Sequence, residues 1–274
     1  MDRFAGRKAI VTGASRGIGA AVAQRLAAEG ADVVVTARSI DPRDHHLAGS
    51  LTETVERCRR YGTTVEAVAA DLGDADSRAT IVPAALEVLG GRVDVLVNNA
   101  AAAMYQSVLD YPLRRRRLMF EINLQAPIDL SQTVIPLMRA QGEGWIVNLS
   151  SATARLAPGP PYRTAGVATS IGLYGATKAA LNRITNAFAV ELQDSGIRVN
   201  TVEPRAAVMS EGAEALVGDI VTEDLIESME AMVEAVVALC DCPPERTGKL
   251  HVSLDLVDEL GLEVMTLDGS RPAG

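Results

Sequence analysis

The chain has 274 residues, of which 48% are hydrophobic and 3% aromatic, and its formal net charge is −9. This length suits one large α/β domain, and the hydrophobic share allows a substantial core of aliphatic side chains, which argues against a disordered chain. The negative charge argues against nucleic-acid binding through phosphate contacts.

The cysteines and the apolar runs narrow the class of protein further. Cys58, Cys240 and Cys242 lack the spacing of a disulfide framework or of a zinc or redox pair, so we expect reduced and mostly buried thiols. Residues 1–8 carry no signal-peptide pattern, and no run approaches the ~18 apolar residues of a membrane-spanning helix. These features predict a cytoplasmic protein that does not bind membranes.

Short apolar runs alternate with helical patterns along the chain. The runs that predict strands lie at residues 8–12, 32–37, 64–69, 93–98, 145–150, 197–203 and 249–254. The helical patterns lie at residues 17–29, 50–61, 76–89, 112–139, 172–193 and 223–240. Runs of Val and Ile without polar alternation are typical of buried parallel strands, and the alternation predicts a doubly wound α/β sheet. Ligands of such sheets bind at the carboxyl ends of the strands, so the residues there are the site candidates.

A glycine-rich turn joins the first predicted strand to the first predicted helix. It contains Gly13, Gly17 and Gly19, and the helix after it carries an apolar residue at every fourth position. Glycine lets a backbone approach a ligand closely, and a helix N-terminus directs unpaired N–H groups at an anion. In this strand–turn–helix context the pattern predicts phosphate binding, and the alternative is an ordinary tight turn.

The second predicted strand ends at Arg38, where enzymes that read the ribose of NAD usually carry a carboxylate. A second arginine, Arg16, lies inside the glycine-rich turn. Two guanidinium groups suit a 2′-phosphate through forked, charge-assisted hydrogen bonds. The pair therefore favours NADP(H) over NAD(H), and the alternative is that both are solvated surface side chains.

Polar residues also end the third and fourth predicted strands. Asp71 is a candidate acceptor for the exocyclic amine of adenine, or it caps the following turn. Asn98 and Asn99 offer amides that bridge loops or contact a ribose. His45 and His46, in a long connection, lack the neighbouring ligands of a closed metal site, so we expect a solvated loop and no metal there.

The helix predicted over residues 112–139 carries two notable features. Pro127 removes a backbone hydrogen bond and is expected to kink the helix near Asn123, which frees carbonyls for a water molecule. The run from Arg114 to Arg117 is typical of a solvated helix face or of a subunit contact, and we assign no site to it.

The fifth predicted strand ends at Ser150 and Ser151, and Tyr174 and Lys178 follow at the start of a helix. Their four-residue spacing puts the tyrosine and the lysine on one face of that helix. A tyrosine with an ordinary pKa of about 10 needs a shift of roughly three units, about 4 kcal/mol, to exchange a proton near neutrality. A cation about 4 Å away at an effective dielectric of ~20 supplies about that much, so we expect Lys178, aided by a positively charged oxidised nicotinamide, to lower the pKa of Tyr174.

Taken in this order, the motifs resemble those of the short-chain dehydrogenase/reductase family. The resemblance spans about residues 6–254 and rests on TGASRGIG at 12–19, NNA at 98–100, Asn123, the serine after IVNLS, YGATK at 174–178 and IRVNTVEP at 197–204. It implies one domain over 1–274 with a Rossmann-type sheet of about seven parallel strands and helices on both faces. It also implies hydride transfer between NAD(P)(H) and a secondary alcohol or ketone.

The resemblance implies roles for individual residues as well. Tyr174 would be the proton donor or acceptor, and Ser151, the second serine of its pair, would orient the substrate oxygen. Lys178 would bind the nicotinamide ribose and lower the pKa of Tyr174, while Asn123 would hold a water of the proton relay. The residues that would line the cofactor are Gly13, Ser15, Arg16, Gly17, Ile18, Gly19, Arg38, Asp71, Leu72, Asn98, Ala100, Tyr174, Lys178, Pro204 and Ala207.

Several features depart from the family pattern. An insertion rich in Pro and Gly separates Ser151 from Tyr174, and Tyr162, which has the usual spacing, lacks the lysine. Pro204 is followed by Arg205 instead of the usual glycine, and Met209 stands where a threonine is expected. Arg205 is therefore a candidate contact for an anionic substrate or for a cofactor phosphate. Residues 255–274 extend past the usual end of the family.

The substrate is left open by the sequence. The resemblance implies that the variable regions 101–111, 152–173 and 205–222 build its pocket. The long 39–50 loop and the Pro-Arg pair are similar to features of hydroxysteroid dehydrogenase-like proteins. The alternatives to an alcohol or ketone oxidoreductase are a 3-oxoacyl thioester reductase and a nucleotide-binding protein that has lost catalysis. The resemblance suggests a homotetramer or a dimer through the 112–139 and 172–193 helices.

Overall fold

A parallel sheet forms the centre of the protein. The computed structural model describes residues 2–44, 47–162, 166–205, 207–217 and 226–273. The strands are β1 (Lys8–Thr12), β2 (Asp32–Ala37), β3 (Val65–Ala69), β4 (Val95–Asn98), β5 (Gly144–Leu149), β6 (Ile197–Glu203), β7 (Ala207–Val208), β8 (Ile226–Glu227) and β9 (Leu250–Val252). Seven of them pair in the order β3-β2-β1-β4-β5-β6-β9, all parallel, whereas β7 and β8 pair with each other. This order confirms the predicted doubly wound, Rossmann-type sheet.

Helices cover both faces of the sheet. They are α1 (Gly17–Ala28), α2 (Leu51–Arg59), α3 (Ala75–Ala79), α4 (Ile81–Leu89), α5 (Leu113–Phe120), α6 (Ala126–Gln141), α7 (Gly172–Glu191), α8 (Glu211–Val217), α9 (Met229–Leu239) and α10 (Ser253–Leu260). None of the described helices is long and apolar enough to cross a bilayer.

The core lies in two layers because successive strand residues point to opposite faces of the sheet. In β1, Val11 packs into the layer that contains residues of α1 and α9, such as Leu26 and Val236. Its neighbour Ile10 packs into the layer that contains Leu130 of α6. Both strand faces are therefore buried, as expected for strands that read as unbroken runs of Val, Ile and Ala.

The single helix predicted over residues 112–139 is interrupted. A π-helical turn, Glu121–Gln125, separates α5 from α6. Pro127 has no N–H to give to the carbonyl of Asn123, four residues earlier, so the regular hydrogen-bond ladder stops there. The predicted distortion next to Asn123 is thus present, as a widened turn between two helices.

The C-terminal extension packs onto the rest of the domain. Leu262, Val264 and Leu267 pack against the layer that holds α1 and α9. The buried guanidinium of Arg25, in α1, donates to Glu234 Oε2 at 2.8 Å and to the carbonyl of Thr266 at 3.2 Å. The extension therefore covers apolar surface of the layer that holds α1 and α9.

A histidine in β9 makes stability depend on pH. His251 is buried, and its Nε2 has no hydrogen-bond partner among the described residues. Burial, with a further contribution from the charge of Arg246, lowers its pKa from 6.5 to about 4. The folded state therefore resists protonation of this ring, while the unfolded chain accepts a proton as the pH falls below 6.5.

We expect the free energy of unfolding to fall by up to roughly 3 kcal/mol from this group alone as the pH drops from about 6.5 to about 4. Other groups titrate in the same window, so the difference between the wild type and His251→Leu isolates the histidine. Urea unfolding at several pH values measures it. If the free energy of unfolding changed with pH in the same way in both proteins, His251 would not contribute to the pH dependence of stability.

Candidate active site

The glycine-rich turn between β1 and α1 is braced from the end of β4. Asn99 Nδ2 donates to the carbonyls of Thr12 and Gly13 at 2.8 and 3.1 Å. Gly13 and Gly17 have φ values of +65° and +55°, which favour glycine. A Cβ on Gly19 would lie 2.3 Å from Asn99 Nδ2 and 2.5 Å from the carbonyl oxygen of Gly13. The turn can pass this close to Asn99 only because Gly13 and Gly19 carry no side chain.

A cavity of about 910 Å³ opens at the carboxyl ends of the strands. Most of the predicted site residues line it, namely Gly13, Ser15, Arg16, Gly17, Ile18, Arg38, Asp71, Leu72, Ala100, Ser151, Tyr174, Lys178, Pro204 and Ala207. Its size is typical of a site for a small molecule or cofactor. The cavity therefore joins the glycine turn to the serine, tyrosine and lysine.

Three predicted residues lie outside the lining. Gly19 packs beneath the turn against Asn99. Asn98 is buried, and its Nδ2 donates to Asn148 Oδ1 at 2.8 Å, which ties β4 to β5. Asn123 is fully buried behind the wall of the cavity. These three residues contact the neighbouring strands and loops, and none of them reaches the described cavity surface.

The two arginines near the second strand differ in their contacts. Arg16 donates from Nε to the carbonyl of Ala48 at 2.7 Å and from Nη2 to those of Gly49 and Leu47 at 2.9 and 3.3 Å. Its guanidinium thus holds the 47–49 segment as well as lining the cavity. Arg38 is exposed and has no hydrogen-bond or ion-pair partner among the described residues. Both arginines line the cavity, and Arg38 is the one whose guanidinium has no partner among the described residues.

Asp71, which follows β3, closes a turn and also faces the cavity. Its Oδ1 accepts from the N–H of Gly73 at 2.9 Å, which closes a tight turn. The residue also lines the cavity, together with Leu72. The turn orients the carboxylate without removing it from the cavity.

The start of α7 packs directly on the turn that follows Ser151. Residues Ala152–Ala154 form a 3₁₀ turn, and Ser151 Oγ accepts from the hydroxyl of Thr153 at 3.0 Å. A Cβ on Gly175 would lie 2.2 Å from the carbonyl oxygen of Thr153. Gly175, which follows Tyr174, therefore allows α7 to pack on the turn after Ser151, although more than 20 residues separate Gly175 from Ser151.

Replacing Gly175 with alanine is expected to push α7 away from this turn and to lower any turnover by about 10²-fold, because a shift of about 1 Å is enough for such a loss. Steady-state kinetics measure the effect, and thermal unfolding reports whether the fold survives. Gly62→Ala, outside the described cavity lining and with no atom within 4 Å of the new Cβ although its φ is +82°, is the control for a loss of stability alone. Unchanged turnover in Gly175→Ala would contradict the importance of this packing.

The pKa of Tyr174 is raised in this structure, whereas a lowered pKa was expected from the sequence. Burial and the neighbouring Tyr105 raise it above 10, and the Ser151 hydroxyl acts in the opposite direction. Lys178 does not lower it in this structure. The ammonium of Lys178 is fully buried, its own pKa is lowered to about 8 by that burial, and its Nζ donates to the carbonyl of Leu149 at 2.7 Å. The residues by themselves thus keep the pKa of Tyr174 raised, and the predicted lowering, which also needs the charge of an oxidised nicotinamide, stays a prediction.

Lys178 nevertheless lies beside the tyrosine, as the four-residue spacing predicted. Its Nζ is 5.8 Å from the centroid of the Tyr174 ring. The carbonyl of Leu149, at the end of β5, fixes the ammonium at the carboxyl edge of the sheet. The lysine is thus held where it lines the cavity between β5 and α7.

The amide of Asn123 connects three parts of the site wall. Its Oδ1 accepts from the N–H of Ala102 at 2.7 Å, and its Nδ2 donates to the carbonyl of Ala102 at 2.9 Å and to Thr177 Oγ1 at 3.0 Å. The π-helical turn therefore supports both the loop after β4 and the start of α7, where Tyr174 lies.

Arg205 and Met209, the two residues after β6 that depart from the family pattern, do not line the described part of the cavity. The guanidinium of Arg205 pairs with Asp255 and Asp258 of α10, and its backbone N–H donates to Glu227 Oε2 at 2.8 Å. Arg205 does not line the cavity among the described residues, so the expectation that it contacts a substrate or cofactor anion finds no support. Ser210, next to Met209, does line the cavity.

The structure also adds one residue that the sequence did not single out, and it places the first serine of the Ser150 and Ser151 pair in the cavity lining as well. Tyr105, in the loop after β4, lines the cavity, and its ring centroid lies 5.8 Å from that of Tyr174. Ser150 lines it too, with an Oγ that has no partner among the described residues. The position of Tyr105 in the variable 101–111 region was the one signal that could have indicated it.

The remaining expectations concern metals and charged runs. His45 and His46 fall outside the described residues. Within the described ranges, no group of three or more His, Cys, Asp or Glu side chains is arranged to hold a metal ion. The run from Arg114 to Arg117 lies on the exposed surface of α5, and the three cysteines are buried and free.

Comparisons with known proteins agree with this architecture. A model of the short chain dehydrogenase family matches residues 7–221. The chain is 33% identical over 254 residues to the oxidoreductase UcpA of Escherichia coli K12, covering 93% of this chain and 89% of that protein. It is 29% identical over 261 residues to hydroxysteroid dehydrogenase-like protein 2 of Mus musculus, covering 95% of this chain but only 51% of that longer protein.

A solved structure is similar along almost its whole length. The crystal structure of a short chain dehydrogenase from Burkholderia cenocepacia in complex with NADP has a TM-score of 0.76 and 31% identity, covering 92% of this chain and 98% of that one. The family model, the sequence relatives and this structure all agree with the motifs in the sequence. The chain therefore belongs to the short chain dehydrogenase family.

Proposed function

We propose that this oxidoreductase prefers NADP(H) and interconverts a secondary alcohol and a ketone, with Tyr174 as the proton donor and acceptor. The observation that carries the proposal is the cavity that connects the glycine turn to Ser151, Tyr174 and Lys178. A glycine turn alone would support nucleotide binding only. Its connection to a half-buried tyrosine and a buried lysine supports acid–base chemistry next to a bound nucleotide.

The cavity fits an extended dinucleotide in length and in chemistry. Strands β2 and β5 are three strand spacings apart, about 14 Å at ~4.8 Å each. Arg38 therefore lies well away from Ser151, with the glycine turn between them. The start of α1 lines the cavity, and a helix N-terminus offers backbone N–H groups that suit a pyrophosphate.

Tyr174 is suited to giving a proton to the oxygen of a ketone. Burial keeps its hydroxyl protonated, since its pKa is raised, and a protonated phenol is the form that a reduction requires. A bound nicotinamide would supply the hydride to the carbonyl carbon. Ser151 would hold the substrate oxygen by a hydrogen bond, while Tyr174 passes its proton to that oxygen. In the oxidation the tyrosine would take the proton back.

Lys178 would assist from the β5 side of the cavity. Its pKa of about 8 means that it carries a positive charge below that pH. A positive charge stabilises the phenolate that remains after the proton has left Tyr174. Asn123 would act more remotely, because it fixes Thr177 and thereby the first turn of α7.

The cofactor preference rests on Arg38. A carboxylate at the end of β2 would accept from the 2′-hydroxyl of NAD, whereas this chain presents a guanidinium there that has no partner among the described residues. A 2′-phosphate would satisfy that guanidinium by charge-assisted hydrogen bonds. Arg16 supports the proposal indirectly, since its contacts hold the 47–49 segment beside the same end of the cavity.

The wall around Tyr174 favours a substrate without charge. Near the tyrosine the described lining consists of small, apolar or hydroxyl-bearing residues, including Ala102, Ala103, Tyr105, Thr153 and Ile171. The charged residues of the lining are Arg16, Arg38, Asp71 and Lys178, which belong to the cofactor side or to the catalytic group. A carboxylated or phosphorylated substrate would be buried there without a counter-ion, which is costly.

The test is saturable binding of NADPH and NADH, followed by a turnover screen over uncharged ketones and secondary alcohols. Fluorescence energy transfer from the protein to the reduced nicotinamide reports binding. No binding of either nucleotide would overturn the proposal. Turnover of acyl thioesters without turnover of simple ketones would favour the 3-oxoacyl thioester reductase, and binding without any turnover would favour a non-catalytic nucleotide-binding protein.

Assembly and compartment are further parts of the proposal. Leu113 and Leu118 of α5 and Val190 of α7 are exposed apolar side chains, which supports a homo-oligomer, a tetramer or a dimer, through these helices. Mass photometry measures that state directly. The three free, buried cysteines suit a reducing compartment, which supports a cytoplasmic location.

A further inference from the structure

Glu211, the first residue of α8, places its carboxylate on the N-terminus of α1. Its Oε2 accepts from the N–H of Gly17 at 3.1 Å, although the two residues are 194 positions apart. Within the described helix, α1 has no side-chain cap at Arg16 and no acidic residue in its first turn. Glu211 therefore supplies the negative charge that a helix N-terminus favours.

Ser210, the residue before Glu211, lies directly against the glycine turn. A Cβ on Gly17 would lie 2.9 Å from Ser210 Cβ. Ser210 also holds the start of α8, because its Oγ accepts from Ala213 N–H at 3.3 Å and its carbonyl from Glu214 N–H at 2.8 Å. The position of Glu211 over the turn is thus set by the start of its own helix.

We infer that the Glu211 carboxylate occupies the place of the cofactor pyrophosphate and weakens cofactor binding, because it must leave when a dinucleotide binds. The inference rests on the proposed function. A pyrophosphate on this turn requires the N–H groups at the start of α1, and two anionic groups repel each other at one such position.

The contact also links the cofactor to the opposite wall of the cavity. Ser210, Gly212, Ala213 and Leu216 line the cavity beside Glu211. Release of Glu211 from Gly17 removes the hydrogen bond that joins this wall to the glycine turn. Binding of the cofactor and the position of the α8 wall are therefore thermodynamically coupled.

The experiment compares dissociation constants for NADPH, ADP-ribose and adenosine 2′-monophosphate, measured by calorimetry on the wild type, Glu211→Gln and Glu211→Ala. A carboxylate at a helix N-terminus corresponds to a change of about 2- to 5-fold. We expect both variants to bind NADPH and ADP-ribose tighter by about that factor. Adenosine 2′-monophosphate, which has no pyrophosphate, is expected to bind all three proteins equally.

Glu214→Gln is the matched control, because it removes the same charge from an exposed position on α8. Equal NADPH affinity in the wild type, Glu211→Gln and Glu211→Ala would overturn the inference, as would an equal gain in Glu214→Gln. A failure of the wild type and of both Glu211 variants to bind any dinucleotide would instead contradict the proposed function.

Discussion

Replacing Tyr174 with phenylalanine is expected to lower kcat by about 10²- to 10⁴-fold, the range that a positioned general acid contributes. The substitution removes only the hydroxyl and keeps the ring that packs against Tyr105. The dissociation constant of NADPH is therefore expected to change little. Initial rates with a substrate from the ketone screen, together with fluorescence titration of NADPH, measure the two effects separately.

The chain offers a matched control for this substitution. Tyr162 stands at the spacing from Ser151 that is usual in the family, but it is 62% exposed and lies outside the described lining of the cavity. Tyr162→Phe is expected to keep full turnover. Loss of turnover in Tyr162→Phe with retention in Tyr174→Phe would move the acid–base role to the other tyrosine.

Replacing Arg38 with aspartate is expected to shift the cofactor preference from NADPH towards NADH. Hydrogen bonds to charged groups contribute about 1.5–3 kcal/mol each, so the loss of the guanidinium corresponds to roughly 10- to 150-fold weaker NADPH binding. The new carboxylate repels a 2′-phosphate and can accept from a 2′-hydroxyl. The affinity for NADH is therefore expected to stay constant or to rise.

Titration of both nucleotides into the wild type and the variant gives the ratio of dissociation constants. Arg60→Asp, at the exposed end of α2 and outside the described lining, controls for the change in net charge. An unchanged NADPH to NADH ratio in Arg38→Asp would show that this arginine does not read the 2′-phosphate.

Much of the fold could be predicted because the strands are buried on both faces. Runs such as Ala9-Ile10-Val11 carry no polar alternation. The predicted ends of the seven strands in the main sheet therefore agree with the observed ends to within about two residues. The last strand ends two residues early because Ser253 begins α10. The helix pattern over 112–139 was predicted to kink near Asn123, and Pro127 accounts for the widened turn that separates α5 from α6 there.

The candidate site was predictable where it depends on local spacing. Tyr174 and Lys178 share a helix face because they are four residues apart, and the glycine turn follows from adjacent strand and helix signals. The pKa of Tyr174 was not predictable in this way, because it depends on burial, on the neighbouring Tyr105 and on the Ser151 hydroxyl. Spacing alone contains no information on solvent exposure.

Long-range contacts are the part that sequence patterns could not reveal. Arg16 binds the carbonyls of the 47–49 segment, and Glu211 binds the N–H of Gly17, although nothing in either local sequence identifies the partner. Arg205 was a candidate for an anionic ligand until the structure placed Asp255 and Asp258 beside it. Each of these contacts depends on how separate loops meet at the carboxyl edge of the sheet.

The central claim is hydride transfer in this cavity, and isotope transfer tests it most directly. The wild type is incubated with NADPH that carries deuterium at nicotinamide C4 and with a ketone that the screen identifies, and the product is analysed by mass spectrometry. We predict an alcohol with one deuterium on the carbinol carbon when the label is on one face of the ring, and none when it is on the other. An alcohol without label from both forms, or no consumption of NADPH with any ketone, would contradict the account.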